Sequence, residues 1–207
     1  MNDRIREIVN LADQYQQPMP IFVSGPPGAG KAIFAKESEE YIRSLRGQAT
    51  VFELDNYLRD IDDPYLSKIA TKTNFGTSLF CPEAYHATQA FNDVIQLYLG
   101  QAIEMPIYDF TASRRIVGER KIVRPAKYLI VKGRFAITLL EDFPDHAVRV
   151  YLNTKKMACQ DRYVKQIPIQ EGMMFSVANI YEDRIWPLYQ QHGQAQNNAA
   201  HFRVCMQ

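Results

Sequence analysis

One stretch limits what this chain can fold into more than any other: Gly25-Pro26-Pro27-Gly28-Ala29-Gly30-Lys31-Ala32. Before it lies Pro20-Ile21-Phe22-Val23-Ser24, an apolar run that reads as a buried strand, and after it Ile33 to Arg46 reads as a helix. Strand, glycine-rich turn, lysine and helix, in that order, are the layout of a phosphate-binding loop. Glycines let backbone N–H groups turn inward onto an anion, and the helix start adds free N–H groups and a positive dipole end. Lys31 is placed to reach the outer phosphates. The candidate nucleotide-binding residues are therefore Gly25, Pro26, Gly28, Ala29, Gly30, Lys31 and Ala32. The pattern G-x-x-x-x-G-K is complete, but Ala32 stands where a Ser or Thr normally follows.

Strand-like and helix-like stretches alternate through the rest of the chain. Asp3 to Gln16 reads as an amphipathic helix, and Gln17-Pro18-Met19-Pro20 stops it. Strands are expected at Ala49–Leu54, Ile103–Phe110, Tyr128–Val131, Ala147–Leu152 and His201–Met206, with Arg115–Arg124 as part of a hairpin. Helices are expected at Pro82–Leu99, Lys155–Lys165 and Met173–Gln191, the last bent near Pro187, and 194–199 reads as a polar loop. This predicts an α/β fold: a mainly parallel sheet with helices on both faces, of P-loop NTPase type, with a small β-hairpin and lid insertions. At 207 residues the expectation is one domain over 1–207, its lid at about 155–172. Such sheets bind ligands at the C-terminal ends of their strands, which draws attention to the 25–32 loop, Asp55, Lys132 and Asn153.

A formal charge of +1 gives no global field for nucleic acid or an anionic membrane. No apolar run approaches the length of a membrane span, and the N-terminal stretch lacks the apolar core of a signal peptide. Three dispersed cysteines without metal-ligand spacing suit the reducing cytoplasm. These features point to a small-molecule partner rather than nucleic acid or membrane.

Asp55 ends the second strand. A carboxylate there could take a proton from an attacking hydroxyl, hold Mg2+, or simply cap a turn. Leu54-Asp55-Asn56-Tyr57 resembles the Asp-x-Phe-Tyr segment of the uridine kinase and phosphoribulokinase group of P-loop kinases. Pro106-Ile107-Tyr108-Asp109-Phe110-Thr111-Ala112-Ser113-Arg114-Arg115 is similar to their Pro-x-Tyr-Asp-Phe-x-x-His-x-Arg. Cys81-Pro82-Glu83-Ala84-Tyr85-His86 is similar to their His-Pro-Asp-Ala-Phe-Asp, and Ile130-Val131-Lys132-Gly133 sits where they have a strand ending in Glu-Gly. The resemblance spans roughly residues 18 to 190 and implies ATP as cofactor. It makes Lys31 the phosphate clamp and Asp55 the catalytic base. Tyr108 and Arg115 would lie in the acceptor site with Ser113 and Glu83, and Arg162 in the lid. It also implies oligomers, which are common in that group. Each role has a plain alternative: a half-buried aromatic at Tyr108, solvated charges at Arg115 and Arg162.

The departures bear on chemistry. The hydroxyl that ligates magnesium in the resembling family is Ala32 here, and the glutamate that supports the same ion is Lys132. The histidine that reads the pyrimidine is Ser113. Gly76 or Phe80 stands where an aspartate binds the ribose, with Glu83 the nearest carboxylate. A methyl cannot coordinate Mg2+ and an ammonium repels it, so Asp55 is left as a weak metal ligand and altered metal use is expected. Two functions follow: phosphoryl transfer from ATP to a hydroxyl of a nucleoside or sugar-like molecule, or a catalytically impaired relative that binds nucleotide or phosphate as a regulatory module.

Overall fold

The computed structural model describes residues 2–14, 19–45, 47–70, 79–144, 146–167 and 174–206. In chain order the elements are α1 (Asn2–Asp13), β1 (Pro20–Ser24), α2 (Lys31–Ser44), β2 (Ala49–Glu53), α3 (Pro64–Ala70), α4 (Ala87–Tyr98), β3 (Ile103–Asp109), β4 (Arg114–Val123), β5 (Tyr128–Lys132), α5 (Ala136–Leu139), β6 (Val148–Leu152), α6 (Lys156–Gln166), α7 (Met174–Ile180), α8 (Trp186–Ala199) and β7 (Phe202–Val204). Five strands form one sheet in the order β2-β5-β1-β6-β7, and each neighbouring pair is parallel. β3 and β4 pair antiparallel as a separate hairpin.

Alternation within the strands divides the core into two layers. Ile21 and Val23 of β1, Ile130 of β5 and Val148 and Val150 of β6 face one layer, with Ile5 and Ile8 of α1 and Phe34 and Ile42 of α2. Phe22, Leu129, Val131 and Tyr151 face the other, with Val94 and Leu97 of α4, Ala136 of α5 and Tyr189 of α8. Strands covered on both faces have no polar side to show, which is why β1 and β5 read as unbroken apolar runs. Burying one such side chain contributes about 1.5–3 kcal/mol.

β5 lies between β1 and β2, so Asp55 does not end the strand next to the loop, as the sequence order suggests. From β1 the chain first moves to one side of the sheet and later to the other. This makes the end of β1 a switch point, where α/β sheets open a crevice for ligands.

Three boundaries differ from expectation. Pro82–Ala84 is a short 3-10 turn, and the α-helix begins only at Ala87 because Tyr85 is extended and His86 is not helical. Leu58 bridges Tyr85 there and holds the segment open. Residues 194–199 are helical, not a loop. Between α7 and α8 the helix runs through a π turn, Tyr181–Ile185. Pro187 has no N–H for the carbonyl four residues back, and the wider turn lies at that point. Among the described residues no helix is long and apolar enough to cross a membrane. Gly76 and the stretch 168–172 of the expected lid lie outside the described residues.

Candidate functional site

The loop after β1 turns on glycines that no other residue could replace cheaply. Gly28 (φ +77°) and Gly30 (φ +96°) are in the left-handed region. A Cβ on Gly28 would stand 1.9 Å from the carbonyl oxygen of Cys159 in α6. Three side chains fasten the loop's carbonyls. The Thr154 hydroxyl donates to Ala29 O at 2.9 Å, the Tyr181 hydroxyl to Pro27 O at 2.9 Å, and the Lys31 ammonium to Gly25 O and Pro26 O at 2.9 Å each. The first N–H groups of α2 have no partner within the helix, which suits them to an anion. Met206, just past β7, packs on Gly30. Arg162 of α6 donates to the Met206 carbonyl at 3.4 Å.

Burial pushes the Lys31 amine down to about 8, against the pull of Asp55 and with repulsion from Arg134 and Lys132. Asp55 lies in the 3-10 turn Leu54–Tyr57 that follows β2. Its Oδ1 accepts from the Tyr85 hydroxyl at 2.6 Å and the Arg134 N–H at 3.3 Å, and the Arg134 Nε stands 3.5 Å away. Burial works to raise its pKa, but Arg134, Lys31 and Tyr85 outweigh burial and hold the carboxyl below its ordinary value. Electrostatics therefore couple Lys31 to Asp55 across the ends of β1, β5 and β2.

Arg134 escapes a reading of the sequence that stops at Lys132-Gly133. It is only 7 % exposed. Its Nη1 donates to Leu79 O at 2.9 Å, and its guanidinium lies 4.9 Å from the Phe80 ring centre and 5.8 Å from that of Tyr85. Gln196 of α8 donates to its carbonyl at 3.0 Å. The available signal was a charge set directly before the apolar run Phe135-Ala136-Ile137. Lys132 is the register partner of Glu53, and the ammonium pairs with that carboxylate at 3.5 Å.

The residues expected on the acceptor side lie on the hairpin and the 82–84 turn, both bonded to the 59–63 segment. Tyr108 is buried and donates to Arg59 O at 3.2 Å; burial pushes its phenol up to about 12. Arg115 is its register partner across the hairpin. The Arg115 N–H donates to Asp60 Oδ1 at 2.8 Å, with Nε at 3.8 Å. Ser113 takes a positive φ of 52° in the hairpin turn, and its carbonyl accepts from the Ile61 N–H at 2.9 Å. Glu83 is exposed, and its carbonyl accepts from Arg59 Nε at 3.2 Å. His86 has a buried Nε2 without a hydrogen-bond partner among the described residues. Burial, then Arg115 and Arg59, lower its pKa.

The Mg2+ implied by the resemblance needs several oxygen ligands. Ala32 offers a methyl, Lys132 a cation, and Asp55 Oδ1 is already engaged by Arg134 and Tyr85. Among the described residues no group of three or more His, Cys, Asp and Glu side chains could hold a metal ion. The donor set does not fit the ion.

The chain is 26% identical over 174 residues to a uridine kinase of Halobacterium salinarum, covering 83% of this chain and 72% of that one. It is 27% identical over 180 residues to a uridine kinase of Clostridium perfringens, covering 85% and 81%. A solved structure described as a possible uridine kinase from Bacillus stearothermophilus superposes with TM-score 0.64 at 13% identity, over 98% of each chain. D-glycerate 3-kinase from Cryptococcus neoformans superposes with TM-score 0.51 at 14% identity, over 98% of this chain and 70% of that one. Both structures share the fold: a parallel sheet around a phosphate loop. The profile of one family runs over residues 21–164, from β1 through the loop, Asp55, the hairpin and Arg134 into α6, and the chain belongs to that family, the phosphoribulokinase / uridine kinase family.

Proposed function

We propose that this protein binds ATP at the 25–31 loop and transfers its γ-phosphoryl group to a hydroxyl of a nucleoside or sugar-like small molecule. One observation carries the reading: Lys31, at the start of α2 after β1, and Asp55, in the turn after β2, flank the end of β5 at the C-terminal edge of the sheet. In this mechanism the loop N–H groups and Lys31 hold the phosphates. The acceptor oxygen bonds to the γ-phosphorus, the bond to the bridging β–γ oxygen breaks, ADP leaves, and the hydroxyl proton passes to Asp55. A carboxylate with a lowered pKa suits a loose transition state, in which positioning matters more than base strength. Tyr108 and Arg115 line the acceptor side. Ser113 lacks the ring that would read a pyrimidine, and the position of the ribose-binding aspartate falls to Phe80 or to Gly76, so the acceptor is not a standard pyrimidine nucleoside.

A second reading, nucleotide binding without turnover, is favoured by the engagement of Asp55 with Arg134 and Tyr85. One experiment separates the two. The protein is incubated with ATP, with Mg2+ or Mn2+, and a panel of nucleosides and sugars, and ADP release is followed beside the thermal shift caused by ATP. Acceptor-dependent ADP supports transfer. A shift without ADP supports the binding module, and neither signal overturns both.

A further inference from the structure

We infer that the Arg134 guanidinium takes the place of the family's divalent cation on Asp55, so that this chain binds polyphosphate with a cation of its own and without Mg2+. The inference rests on the phosphate-binding half of the function proposed above.

The first support is the way Arg134 is built in. A buried arginine is costly unless its charge is met and its N–H groups are satisfied. Here the guanidinium meets Asp55 Oδ1, donates to Leu79 O, and lies against the rings of Phe80 and Tyr85. Its own backbone N–H reaches the same Asp55 oxygen, and Gln196 holds its carbonyl. Such a group is fixed in place rather than left to sample solvent. Burial alone would lower its pKa, but Tyr85, Asp55 and Tyr163 keep it firmly charged.

The second support is the charge balance. Lys31, Lys132 and Arg134 stand with Asp55 and Glu53, three positive charges against two negative, so the side chains by themselves leave one positive charge for the phosphates. The third support is that the changes act together. Ala32 removes an ion ligand, Lys132 replaces a carboxylate with a cation, and Arg134 engages the carboxylate that remains. A divalent cation brought to this site would meet the repulsion of Lys132 and Arg134.

The test is ATP affinity by calorimetry in two buffers, one with EDTA and one with excess Mg2+. The expected result is a Kd in EDTA within about three-fold of that in Mg2+, and a loss of about ten-fold or more in EDTA for Arg134→Met, with Arg134→Lys retaining part of the affinity. Circular dichroism establishes that each variant is folded. Should Arg134→Met not fold, the wild-type comparison alone decides. Wild-type binding that weakens by about ten-fold or more in EDTA and returns with Mg2+ overturns the inference. If ATP binds in neither buffer, the function proposed above falls, and tripolyphosphate titrated in the same buffers reads this inference by itself. Tripolyphosphate binding that withstands EDTA sustains it, and no binding overturns it.

Discussion

The Tyr85 hydroxyl lies 2.6 Å from Asp55 Oδ1 and shares that oxygen with the Arg134 backbone N–H. Tyr85 is fully buried, and burial, with Asp55 nearby, drives its own pKa well upward, so it serves only as a donor. Tyr85→Phe is expected to cost about 1.5–3 kcal/mol at pH 7, the range for a hydrogen bond to a charged group. The folded-state pKa of Asp55 is depressed, so its stabilisation is present above its unfolded value and lost as pH falls through the folded one. The gap between wild type and Tyr85→Phe in urea unfolding should therefore narrow below about pH 4.

Lys31 gives a pH dependence of the same sign in a higher window. Burial lowers its folded pKa to about 8, below the unfolded value near 10.4. Between these values the unfolded state holds a proton that the folded state has released, so this group adds stability as pH rises through that window. A bound polyphosphate favours the ammonium, so ATP affinity should fall as pH rises from 7 to 9. The Lys31→Arg variant should lose that dependence, because its charge persists across the range. Calorimetric titration at several pH values checks both expectations.

Two glycines with nearly equal φ separate strain from space. Gly28 (φ +77°) faces the Cys159 carbonyl, whereas a Cβ on Gly118 (φ +80°) would meet no described atom within 4 Å. Gly118→Ala should cost only the left-handed penalty, about 1–2 kcal/mol. Gly28→Ala adds a backbone collision and should exceed it by at least about 2 kcal/mol in denaturant unfolding.

Ser113 tests the same strain in reverse. It is a non-glycine residue at φ 52° in the hairpin turn. Ser113→Gly should stabilise by up to about 1 kcal/mol, and Ser113→Val should destabilise by more than that, measured by thermal unfolding.

Much of the fold was legible because its signals are local. The apolar runs of β1 and β5, the glycines of the loop and the alternation of β4 each declare themselves within ten residues. The pairing of Tyr108 with Arg115 does not follow from that alternation, because a bulge between Pro106 and Tyr108 shifts the register of the hairpin. What sequence reasoning missed depends on distant contacts. Arg134 follows a strand end, where a charge normally meets water. Its burial depends on Leu79, Phe80 and Gln196, which are 55, 54 and 62 positions away in the chain. The late start of α4 likewise reflects a bridge from Leu58 to Tyr85, a contact that helix propensity around Pro82 does not report.

The π turn at Tyr181–Ile185 also sets the phase of the long C-terminal helix. Ahead of it, α7 leads into Tyr181, which grips the phosphate loop at Pro27; beyond it, α8 presents Gln196 to the Arg134 carbonyl. One helix thus addresses both halves of the site, and its two grips stay in phase only while the wider turn is kept. Wound instead as regular α-helix, the same residues would carry everything downstream round by nearly one residue, about 100°, relative to Tyr181. Either the loop or Arg134 would then lose its support, so the width of this one turn is as constrained as the identity of the residues it positions.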